Sequence, residues 1–161
     1  QLVKRNWPGE IECKLCSSIE TTDHIIFGCA VANFVWCVCR DALGWQLVPT
    51  SADDFLFSFV WCADKNTRSL LYFLFGCVAW SLWLIRNDLV FNNVVIPSPE
   101  IGVYRVLSFM QRWAALCNME DQKPVEELRN CLQFRTSALR QHPEDGRGSD
   151  EAPVTKCAAR R

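Results

Sequence analysis

The chain has 161 residues, half of them hydrophobic, with seven tryptophans and ten cysteines, enough for one ordinary domain or a small metal module joined to a helical one. The net charge is −1, and Lys/Arg against Asp/Glu runs four to five over 1–45, five to six over 46–120 and eight to seven over 121–161. A protein that grips phosphates non-specifically displays a basic face, so this balance speaks against tight, non-specific nucleic-acid binding.

The first residue is Gln, which suggests a piece of a longer reading frame or a processed product. Lys4, Arg5 and Asn6 have no apolar run behind them, so the start does not read as a secretory signal. Ten cysteines without an export signal point to a reducing compartment, nucleus or cytoplasm, with free or metal-bound thiols in place of disulfides. Pro8-Gly9 marks a turn, and Trp7 is expected to cover the metal site or the next helix.

Next come Cys13-Lys-Leu-Cys16, His24 and Cys29, a C-x2-C-x7-H-x4-C pattern. Two cysteines two residues apart can turn both sulfurs to one point, the usual first half of a zinc site. His24 and Cys29, five apart, fit a short helical turn or a loop running into a helix. Three thiols and one imidazole would complete a closed tetrahedron with no position left for a substrate water, so the site reads as structural zinc (Zn2+). A redox role for the C-x-x-C pair would need a βαβ context, which these flanks do not show. Asp23 reads as a helix-start acid, with an alternative role as a carboxylate behind the imidazole.

Phe34, Cys37, Val38 and Leu43 predict a helix from Ala30 to Gly44. Cys37 and Cys39 read as small apolar fillers of that helix rather than as extra ligands. The Ala52-Asp53-Asp54 triplet resembles the paired carboxylates of a polymerase, but Ser51 precedes it and a helical apolar run follows, so both acids read as helix-start residues. Residues 70–85 form the most apolar run. As a helix they would span about 24 Å, short of the ~30 Å hydrocarbon thickness, so a helix buried on most sides is expected and a membrane partner is not. Pro99 to Leu116 predicts an amphipathic helix through Ile101, Tyr104, Val106, Leu107, Met110 and Trp113, and Val125 to Phe134 a shorter one. From His142 onward there is little to bury. His142 is left out of the metal site, and Cys157 reads as an unpaired thiol.

Several of these residues together resemble the zinc-binding domain that follows the reverse transcriptase domain in plant LINE-type (non-LTR) retrotransposon proteins. They are Leu2, Arg5, Trp7 and Gly9 in the lead-in, then Cys13, Cys16, Glu20, Thr21, His24, Phe27, Cys29, Ala32 and Trp36. Further on, Trp80, Trp83, Arg86, Asn87, Asp88, Phe91 and Asn92 are similar to the Trp-x-x-Trp-x-x-Arg-Asn block of that family. The likeness covers roughly residues 2–120; the tail does not match, and no polymerase or RNase H segment accompanies it. The resemblance implies a zinc module at Cys13, Cys16, His24 and Cys29, an accessory role without enzymatic activity, and contact with template RNA or target DNA.

The expected fold is mainly α: a CCHC zinc knuckle (1–45), a helical region packed on it (46–134) and a disordered tail (135–161). Candidate nucleic-acid contacts are Lys4, Arg5 and Arg86, with Trp80 and Trp83 either stacking on unpaired bases or buried as core. The alternative function is a structural or protein-interaction module that docks on a polymerase domain or another protein; a decayed retroelement fragment is a third reading. No small-molecule substrate is expected.

Overall fold

The computed structural model describes residues 11–141. Trp7, Lys4, Arg5 and the rest of the lead-in lie outside the described residues, as do His142, Cys157 and the sequence from 142 on. Among the described residues the fold is helical, with a single antiparallel bridge, Glu12 to Ile19, closing the hairpin that carries Cys13 and Cys16.

A π-helical turn, His24–Gly28, leads into helix α1, Ala30–Leu43. The helix buries Ala32, Val35, Trp36, Val38, Cys39 and Ala42, an i, i+3, i+4 stripe that faces one side. It stops at Gly44, whose φ of 69° is left-handed. The N–H groups of Gly44 and Trp45 both reach back to the Arg40 carbonyl, so the last turn keeps its partners.

Ser51 starts the next element by accepting from the Asp54 N–H. Helix α2, Ala52–Asp54, runs on as a π-helical segment, Phe55–Val60. Asp54 accepts from the Thr50 N–H, the Thr50 hydroxyl and the Ser58 hydroxyl, and the Thr50 N–H first, then Ser58, holds its carboxyl below the usual range. The acid organises a helix start, as the sequence suggests.

Helix α3, Lys65–Asn92, is longer than the apolar run 70–85 that announces it. Asp64 caps it, accepting from the N–H groups of Asn66 and Thr67 and from the Thr67 hydroxyl at 2.6 Å. At the far end Asn93 takes the left-handed conformation, φ 53°. By length and composition α3 could cross a membrane. In the fold its stripe Leu71, Leu74, Val78, Leu82, Ile85 and Leu89 is buried, while Tyr72, Trp80 and Trp83 are 48%, 45% and 43% exposed. Over the apolar run 70–85 the exposed residues are Tyr72, Trp80 and Trp83, so the run is covered on most sides as expected, and of the two readings of Trp80 and Trp83 it is burial in the core that is corrected. They form an exposed strip on the outer face of α3.

Helix α4, Glu100–Ala114, buries Gly102, Val103, Val106, Leu107 and Met110. Gly102 sits where α4 crosses α1; a Cβ there would lie 2.8 Å from a methyl of the fully buried Val35. Helix α5 runs Met119–Gln141, beginning before Val125 and passing Phe134. Pro124 lies inside it, one turn past its start, where a proline removes the bond to the Glu120 carbonyl and crowds that oxygen. Its buried stripe is Val125, Leu128, Leu132 and Thr136, and Thr136 satisfies its hydroxyl on the Leu132 carbonyl at 2.7 Å. Residues 135–141 are thus helix, which corrects the expected start of the tail.

An aromatic core ties these pieces together. Trp36 stacks on Phe27 with centroids 5.6 Å apart and leans on Phe55 at 5.5 Å, and Phe55 stacks on Phe75 of α3 at 5.2 Å. Buried residues from Cys13 to Leu132 form one contiguous cluster, so the knuckle shares its core with the helices.

The two α3/α4 glycines should respond in opposite directions to alanine. Gly102→Ala gains about 1 kcal/mol of helix propensity, but the clash with the stiff Val35 costs roughly 1–3 kcal/mol, so the urea midpoint should fall. Gly76→Ala meets only Trp113 at an ordinary 3.9 Å and should raise the midpoint. A midpoint that rises for both would contradict the close α1–α4 crossing.

Candidate metal centre

Two local structures bring the four sequence-selected residues together. In the first, the Cys13 N–H donates to the Ser18 carbonyl at 2.8 Å, and the Cys16 and Ser17 N–H groups both turn back to the Cys13 carbonyl. Ser17 pays for that tight turn with a φ of 58°, a left-handed conformation costing a residue with a Cβ roughly 1–2 kcal/mol. In the second, the Thr21 hydroxyl accepts the His24 N–H at 3.0 Å and so starts the π-helical turn. That turn ends with the Cys29 N–H on the His24 carbonyl at 2.7 Å, which fixes the fourth residue relative to the third.

The Sγ atoms of Cys13, Cys16 and Cys29 and a ring nitrogen of His24 all lie within 4.8 Å of one another. Cys13 and Cys29 sulfurs are 3.9 Å apart, and Cys16 Sγ is 3.3 Å from His24 Nε2. A tetrahedral ion bound at ordinary zinc distances would place such pairs about 3.5–3.8 Å apart; the sulfur pair lies just above that range and the Cys16–His24 pair just below it. Cys13 and Cys29 are buried, His24 is half-buried and Cys16 is exposed. Burial first, then the neighbouring Cys13 thiol, pushes Cys29 up to about 12; a divalent cation reverses that logic by favouring the thiolate. The Ser18 backbone N–H holds Cys16 below the usual thiol range.

Among the described residues, the other cysteines stand apart from this cluster. Cys39 is buried in α1, and burial pushes its thiol well up. Cys37 is half-buried and turns its Sγ to Asn33 at 3.4 Å, so only Cys39 fills the core in the way expected of both. Asp23 accepts the Ala52 N–H at 3.2 Å and thereby stitches the knuckle to α2. Asp23 does stand at the start of the His24–Gly28 turn, as the helix-start reading expects, but without a side-chain cap bond; its partner 29 residues away is a contact the sequence did not announce.

The contact that sequence reasoning missed joins Glu20 to Arg86. Arg86 donates from Nε (3.0 Å) and Nη2 (2.7 Å) to Glu20 Oε1, and the side chains are only 18% and 11% exposed. Its guanidinium also lies 5.6 Å from the Trp83 ring centroid and 5.7 Å from that of Phe91, within cation–π range. Arg86 is therefore engaged by the knuckle. Beside it, an open groove of about 450 Å³ runs between the His24–Gly28 turn and α3, lined by Ile25, Ile26, Gly76, Trp80, Trp83 and Trp113 together with Thr22 and Ala79. None of these lining residues carries a charge.

With this geometry in view, the family model for zinc-binding in reverse transcriptase matches residues 1–36. The match spans all four clustered residues and Glu20, and it ends at Trp36, whose indole N–H donates to the Ile26 carbonyl at 2.8 Å. No curated protein and no solved structure matches the chain. The matching family is described as zinc-binding, and the four residues form a candidate metal site.

Ser17 offers a test of the hairpin. Ser17→Gly should leave the turn intact and raise stability by a few tenths to about 1 kcal/mol, whereas Ser17→Val should lower it by about 1–2 kcal/mol. Chemical unfolding of the metal-loaded chain measures both, and equal midpoints would contradict the left-handed turn.

Proposed function

We propose that Cys13, Cys16, His24 and Cys29 hold one Zn2+ in a closed structural site. The chain is then a non-catalytic module whose knuckle zinc keeps folded, and which docks on another protein through the outer face of α3. The convergence of three thiols and one imidazole supports the metal, since soft thiolates with imidazole favour zinc among common divalent ions. The observation that carries the docking role is the uncharged groove beside the knuckle, with Trp80 and Trp83 nearly half exposed. Tryptophans at an open apolar groove are the residues from which protein interfaces draw most of their energy. A phosphate chain laid there would find no cation among the lining residues, whereas an apolar segment of a polymerase domain or another protein would.

A second reading, single-stranded RNA or DNA stacked on the same face, is favoured by the exposure of Trp80 and Trp83, because base–aromatic stacking tolerates any sequence. Lys4 and Arg5 would then supply charge, and Arg86 would do so only where a phosphate displaces Glu20.

Two measurements test this account. Metal analysis of the purified chain should give one zinc; His24→Ala and Cys29→Ser should abolish it and loosen the knuckle, and Cys37→Ser should do neither. Zinc retained by the first two variants would sink the ligand set. Titration with RNA and DNA oligonucleotides at two salt concentrations should give no binding at either, while the uncharged dye Nile red should bind and be lost in Trp83→Asp. Oligonucleotide binding that collapses with salt and needs Trp80 and Trp83 would replace docking by the second reading.

A further inference from the structure

The geometry points to Arg86 as a positioning residue for the metal site, acting from α3 through Glu20; this rests on the zinc reading above. The four ligands arrive in two halves. Cys13 and Cys16 belong to the bridged hairpin, and His24 and Cys29 to the helical turn. The joint between the halves is Glu20-Thr21. Glu20 ends the hairpin, its N–H on the Ile11 carbonyl at 2.9 Å. Thr21 starts the turn, its hydroxyl on the His24 N–H and its carbonyl on the Ile25 N–H. Whatever holds Glu20 sets the position of His24 relative to Cys13 and Cys16.

Arg86 is built to hold it. Two donors of one guanidinium grip a single carboxylate oxygen across 66 residues of sequence. The grip is mostly shielded from water, where charge-assisted bonds are shorter and stronger than neutral ones. Trp83 and Phe91 fix the guanidinium from α3 itself. Around the joint, Cys13 and Cys29 line one small cavity together with Leu82, Ile85, Arg86 and Leu89, so the two buried thiols back onto the same stretch of α3. A partner behind the ligand shell that sets ligand orientation commonly changes metal affinity by roughly 10–100-fold when removed.

A matched control is available. Arg105 of α4 pairs with Asp88 of α3 at 2.7 Å, two residues from Arg86, and this pair links α3 to α4. Affinity for Zn2+, and for Co2+ read through its visible bands, would be measured on the full chain by competition with a chromophoric chelator. Arg86→Gln and Glu20→Gln should each weaken binding roughly 10–100-fold, and the double variant should be no weaker than either single one, as expected of residues acting as one pair. Arg86→Lys, which keeps the charge but loses the forked donors, should fall between. Arg105→Gln should leave affinity within about twofold while lowering thermal stability. Wild-type affinity in Arg86→Gln, additive losses in the double variant, or an equal loss in Arg105→Gln would each overturn the positioning role. A wild-type chain that binds neither metal would instead overturn the zinc reading beneath it. Should Arg86→Gln fail to fold, Arg86→Lys and Glu20→Gln carry the same comparison.

Discussion

The convergence of four candidate ligand atoms on one point is the constraint on which the N-terminal part of the described fold depends. An eight-residue hairpin stretch from Glu12 to Ile19 buries little besides Cys13, and a segment of that size cannot hold its shape by apolar burial alone. What it has is a left-handed turn at Ser17, one bridge and two thiols. The second pair of ligands comes from a helical turn that is itself anchored, through Phe27 and the Ile26 carbonyl, to Trp36. A cation at the meeting point would convert two marginal local structures into one rigid unit, which is how small metal modules commonly fold.

The rest of the chain both uses that unit and supports it. The ring chain Phe27, Trp36, Phe55 and Phe75 runs from the knuckle through α1 and the 55–60 segment to α3, and the Glu20–Arg86 pair repeats the knuckle–α3 link with charge. Asp23 adds a third attachment at the start of α2. These contacts orient the knuckle against α3 so that Ile25 and Ile26 form one wall of the groove and Trp80 and Trp83 the other. Site and groove therefore share one element, the His24–Gly28 turn.

The parts of this arrangement that the sequence announces are local ones. The C-x2-C-x7-H-x4-C spacing needs only a turn and a short helix to converge, and Ser51, Gly44 and the helical stripes of α1 and α4 act within a few residues. Longer-range facts leave no such mark. Arg86 and Glu20 are 66 residues apart, and although both stand in the blocks that carry the family resemblance, nothing in the sequence pairs one with the other until the fold places them together. Trp80 and Trp83 stand in a run so apolar that its average suggests burial on most sides. Which face is covered depends on neighbours that the run itself does not encode. Thr136 hid the end of α5 for a related reason: a polar residue at a buried position reads as solvent-facing until its hydroxyl is seen on the Leu132 carbonyl.

The central claim is that the metal site is an integral part of the helical core and not an appendage tied to it. Amide hydrogen exchange of the metal-loaded chain, compared with the same chain after a chelator, tests this most directly. The account predicts that metal removal opens residues 13–36 and also raises exchange on α3 between Leu82 and Leu89, where Arg86 and the cavity behind Cys13 and Cys29 lie. Faster exchange confined to the hairpin and the His24–Gly28 turn, with α3 protected as before, would contradict it.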